Sequence, residues 1–140
     1  MSSRNASRKP TAADVLARYS ELYLDFDYKS HSGGPLTDVN QVGILGNRPI
    51  TLAAYHGEIE AIEALIEGGA DVNLTGDMGY TALHEAVEQG HTNVVKYLLD
   101  QGARTDIASE FGETAIGLAK KHERYDLLAL LKEHKSSTPE

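Results

Sequence analysis

The chain has 140 residues, 41% hydrophobic and 24% charged, the proportions of one folded domain long enough to bury a core of its own. It carries 13 Lys and Arg against 21 Asp and Glu, and the net charge of −8 repels phosphate backbones and anionic lipid, which argues against nucleic acid and membrane as partners. No cysteine is present, so disulfides, thiolate catalysis and cysteine-ligated metal are excluded.

Residues 1–10 are polar, carry Arg4, Arg8 and Lys9, and are followed by no apolar signal core; they are expected to be a disordered N-terminus. The sequon Asn5-Ala6-Ser7 has no secretion route beside it, and the expected compartment is cytoplasmic. No run of about 18 apolar residues occurs, so no membrane span is expected. From residue 11 to about 24, Val15, Leu16, Tyr19 and Leu22, continued by Tyr23 and Phe26, fall on one helical face. Thr11 with Asp14 three residues on forms a capping-box pattern. This predicts an N-terminal capping helix. Residues 27–36 contain Ser30, Ser32, Gly33, Gly34 and Pro35 and read as a loop, standing where a regular repeat would have its second helix. Residues 11–45 are thus taken together as a capping helix and degenerate repeat.

From Gly46 onward the chain repeats itself every 33 residues. Gly46, Gly79 and Gly112 share one register, as do Ala53, Ala86 and Ala119, and Leu65, Leu98 and Leu131. Asp38-Val39-Asn40 returns as Asp71-Val72-Asn73, and Gly69-Ala70 as Gly102-Ala103. The units are 46–78, 79–111 and 112–134, followed by a polar tail, 135–140. In the middle unit Thr81 stands as a helix N-cap, and Leu83, Ala86 and Val87 follow at helical spacing. Gly90 can turn the chain between two helices, and Val94, Val95, Leu98 and Leu99 form the apolar stripe of the second.

The string Gly79-Tyr-Thr-Ala-Leu-His84-Glu-Ala86, with its 33-residue period and turn glycines, closely resembles the ankyrin repeat. The resemblance spans residues 38–134. It implies an all-α fold: an ankyrin-repeat solenoid of stacked helix–turn–helix pairs with β-turn fingers, acting as a monomer. The outer units depart from the signature, with Arg48-Pro49-Ile50-Thr51 in the first and Thr114-Ala115-Ile116-Gly117 in the third. The third also has Glu123 where the others have Gly57 and Gly90, and Lys132 in register with Ile66 and Leu99, as suits an end helix with one face in water.

Catalytic chemistry finds no foothold. His84-Glu85-Ala-Val-Glu88 begins like the zinc-protease motif, but Glu88 replaces the second histidine. The six histidines, one here and one there along a solenoid, are too far apart to share an ion, so no metal and no cofactor are expected. Glu58, Glu60, Glu63 and Glu67 read as a solvated outer face. No phosphate loop and no paired nucleophile and base are present. The expected protein is not an enzyme.

The resemblance implies partner contact at the finger tips and on the inner face of the first helices. Carried onto this sequence, the tips are Ile44, Leu45 and Asn47, then Asp77, Met78 and Tyr80, then Glu110, Phe111 and Glu113. The inner helix positions are Tyr55 and His56, Glu88 and Gln89, and Lys121 and His122. Turn residues are normally polar, so the apolar Ile44, Leu45, Met78, Tyr80 and Phe111 point either to a binding edge or to packing between fingers. The expected function is a protein-interaction module whose partner carries basic residues at its rim. The alternatives are an accessory or regulatory subunit of an enzyme, and a small-molecule or metal binder.

Overall fold

The computed structural model describes residues 8–22, 38–43 and 46–137. Among them are seven helices and no strand: α1 (Ala12–Leu22), α2 (Pro49–His56), α3 (Ile59–Glu67), α4 (Ala82–Gln89), α5 (Thr92–Asp100), α6 (Ala115–Lys121) and α7 (Tyr125–Ser137). After α1 they pair as α2 with α3, α4 with α5 and α6 with α7. The first helices stack in one layer, α4 between α2 and α6; α5 meets α7 in the other layer. One continuous core runs between the layers, from Val15 and Tyr19 through Leu65, Leu83 and Leu98 to Leu131.

Local chemistry sets each start and stop. Thr81 caps α4, its hydroxyl accepting from the His84 N–H, and Thr114 caps α6 in the same way from Gly117. In the first pair Arg48 takes the capping position; its N–H donates to Thr51 Oγ1, and Pro49 fills the first helical position, where no donor is wanted. The Arg48 guanidinium bonds instead to the carbonyls of Thr75 and Asn40, at 2.6 and 2.7 Å, and ties two neighbouring segments together.

Hydrogen bonds at the repeat interval join the units. The Asn40 carboxamide accepts from the Asp71 N–H, and Asn73 accepts from Arg104 in the same way, both at 2.9 Å. His91 Nε2 donates to the Tyr55 carbonyl at 2.9 Å. One repeat later Arg124 donates to the Glu88 carbonyl at 2.8 Å, so a guanidinium does the work of an imidazole.

At the start of the stack, α1 shows the capping box, with Thr11 N–H donating to Asp14 at 2.9 Å and Asp14 N–H to Thr11 at 3.2 Å. Val15, Leu16 and Tyr19 are buried. Leu22, expected on the same face, is instead 58% exposed, because the helix ends there with no described element beside it. Tyr23, Phe26 and the 27–36 loop lie outside the described residues. The sequence pattern makes α1 the first helix of a degenerate pair. It packs instead on α3, the second helix of its pair. Ala12 lies against Gly68 at the end of α3, while Arg18 and Tyr19 bond Glu58 at its start, so the two run antiparallel.

Candidate functional site

The finger before α4 turns through Asp77–Gly79. Met78 and Gly79 both have positive φ, 58° and 76°, the sign pattern of a type I′ turn, which Asn-Gly would adopt without strain. A methionine in this conformation costs about 1 kcal/mol or more. The turn is closed by Tyr80 N–H donating to the Asp77 carbonyl at 3.1 Å and Gly76 N–H to Tyr80 at 2.7 Å. The next finger docks through Glu110 N–H, which donates to the Met78 carbonyl at 3.0 Å. At Gly79 a Cβ would lie 2.9 Å from that same Glu110 nitrogen, so only glycine allows the approach.

Behind the tip, buried His84 holds three segments in place. Its Nδ1 accepts from the Thr81 N–H at 3.0 Å, which leaves the proton on Nε2, and Nε2 donates to the Glu113 carbonyl at 2.9 Å. Burial holds its pKa below the ordinary value, so the ring is neutral. Both ring nitrogens of His84 are thus engaged in bonds that hold the fold.

The sequence-named tip residues divide. Met78 and Phe111 stand exposed, at 47% and 64%. Tyr80 is half-buried: its ring stacks on His84 and its hydroxyl donates to Glu113 at 3.0 Å. Burial first, then the Glu113 carboxylate, pushes its pKa up to about 12. Tyr80 is thus a link between fingers. Asn47 is half-buried and accepts from Gly43 N–H at 2.8 Å, Asp77 is half-buried, and Glu110 is exposed. Ile44 and Leu45 lie outside the described residues.

On the inner helix positions, Tyr55 is 46% exposed with its ring edge-on to His56, and Gln89 is exposed. Glu113 bonds Lys121 at 3.0 Å, which together with the Tyr80 bond holds its carboxyl below the usual range. Glu88 faces His122 at 3.7 Å. The structure therefore gathers Tyr80, Glu113 and Lys121 into one chain of contacts and Glu88 and His122 into another, while Asn47 joins neither.

Glu85 was absent from the sequence-derived set. It is 8% exposed, although charged, and burial with the nearby Glu88 and Asp77 charges pushes its carboxyl up to about 7. The signal was available: in register with it the other repeats have Leu52 and Leu118, so a charge stands in an apolar column.

A family model described as ankyrin repeats (3 copies) matches residues 28–109, more than half of the chain. The chain belongs to the ankyrin-repeat family, whose repeats are generally protein–protein interaction modules. A search of curated proteins found no match. No helix among the described residues is long and apolar enough to cross a membrane.

Proposed function

We propose that this protein binds another protein through the edge formed by its finger tips and the inner faces of α2, α4 and α6, and that it does so without catalysis. The observation that carries the reading is the exposure of Met78 and Phe111 at matching register positions of successive fingers, one repeat apart, with Tyr55 exposed on α2. Solvent-exposed turns favour polar residues, and Met78 moreover keeps a left-handed backbone where asparagine would be cheaper. A flexible thioether and an aromatic ring are anchors of the kind that concentrate binding energy. By register, Asp77, Glu88, Gln89, Glu110, Glu113, Lys121 and His122, with Asn47 at the first finger and His56 on α2, make a polar rim of mainly negative charge suited to a basic partner surface. Ile44 and Leu45 extend the same edge by register. The reading takes the protein as a monomer in the cytoplasm, with neither nucleic acid nor membrane as its main partner.

The test follows from the split among the tip residues. Partners captured from native extract by the whole chain are identified by mass spectrometry and their affinities measured. Met78→Asn with Phe111→Ser is expected to weaken binding at least about tenfold while circular dichroism stays unchanged. Outer-helix changes, Glu60→Ser and Lys96→Ser, are expected to do little. Unaltered affinity in the folded tip variant would remove this surface from consideration.

A further inference from the structure

The inner face of the middle repeat holds a carboxylate that the fold itself does not use. Glu85 is 8% exposed; its carboxylate oxygens keep contact with water, and among the described residues the side chain makes neither a hydrogen bond nor an ion pair. The charges that act on it are Asp77, in the finger, and Glu88, one turn further along α4; both are negative. A carboxylate largely withdrawn from water, unpaired and among like charges, destabilises the chain that carries it. The neighbouring repeats show that the position needs only apolar bulk, since Leu52 and Leu118 fill it there.

The available cations are committed elsewhere. Lys121 is paired with Glu113, and His122 stands 3.7 Å from Glu88 and pairs with it only when protonated. Neither Asp77 nor Glu85 has a cationic partner among the described residues. The carboxylates are not placed as metal ligands: among the described residues no group of three His, Asp or Glu could hold an ion. What fits is a cation whose hydrogens are spread over several atoms and whose stem is apolar, reaching Glu85 from the solvent that its carboxylate still touches.

We propose that Asp77, Glu85 and Glu88 seat a cationic side chain, Arg or Lys, of the bound polypeptide. This deepens the protein-binding reading and rests on it. The net charge of −8 draws basic segments toward the surface, and Glu85 then supplies the counter-charge at depth, where a pair is worth more than one at the rim. Arginine, with its planar fork, can meet two carboxylates at once.

The experiment uses the whole chain as bait for a displayed library of random 12-residue peptides. The expected binders share an Arg or Lys at a fixed place, and Glu85→Gln weakens them at least about tenfold with the circular dichroism unchanged. Glu85→Lys paired with a peptide carrying Glu at the fixed place is expected to regain part of the loss. Asp77→Asn repeats the measurement should Glu85→Gln alter the fold. Binders without a common cation, or indifferent to both substitutions, overturn the inference; if they still lose affinity on Met78→Asn with Phe111→Ser, the binding reading survives. A library that yields no binder, or only binders indifferent to every one of these changes, overturns both.

Discussion

The middle and last repeats share a register but solve the same positions with different chemistry. Between its two helices the middle repeat turns at Gly90, φ 79°, while the last turns at Glu123, φ 56°. His84 braces the next finger from the middle repeat; the last has Gly117 in that place and no further described finger to brace. Buried Leu99 in α5 corresponds to exposed Lys132 in α7. Residues that reach the following unit matter where another described unit follows and are replaced where none does, as expected where each repeat touches only its neighbours.

The strongest way to break the comparison is at the fingers. Gly79→Ala meets the Glu110 backbone as well as the left-handed penalty, and is expected to cost about 3 kcal/mol. Gly112 has a similar φ, 79°, but nothing lies within 4 Å of an added Cβ, so Gly112→Ala is expected to cost only about 1 kcal/mol. Urea unfolding of the two variants gives the difference directly; equal losses would show that finger docking contributes nothing.

Glu85→Gln sharpens the contrast between the polar position in the middle repeat and Leu118 in the last. Because the folded carboxyl is raised from its ordinary 4.5 to about 7, the folded state holds a proton that the unfolded chain has released between those values. Stability from this group is therefore lost as pH rises from about 4.5 to about 7. At pH 8 the variant is expected to be more stable than wild type by about 3 kcal/mol, shrinking toward zero near pH 4. His84, with its lowered pKa, gives the opposite slope in part of that window, so the measured quantity is variant minus wild type. A difference that does not change with pH would mean that Glu85 titrates normally.

The smallest effect lies at the helix turn. Glu123→Gly relieves a left-handed non-glycine residue and is expected to stabilise by about 1 kcal/mol, raising Tm by about 3 °C. A lowered Tm would instead assign the Glu123 side chain a stabilising contact.

Much of this architecture was legible beforehand because it depends on local chemistry at a fixed period. Thr81 and Thr114 cap helices by their own hydroxyls, and Val94, Val95, Leu98 and Leu99 are buried as their helical spacing requires. The capping box of Thr11 and Asp14 spans three residues and needs nothing from the rest of the chain. The finger edge was legible as a list of positions but not as roles. Whether Tyr80 reaches solvent or Glu113 depends on how closely two fingers 33 residues apart approach, and no local pattern encodes that distance.

The sequence by itself determined the period, the helix pairs, their caps and the core stripes, since each follows from propensity and side-chain spacing within a few residues. Only the tertiary structure decided that α1 packs antiparallel on α3, that Arg124 replaces a histidine in bonding the preceding repeat, and that Glu85 is largely covered while unpaired among the described residues. Burial and pairing are properties of the space between segments. They depend on the side chains that neighbouring repeats bring to the same place, and a single chain segment does not specify them.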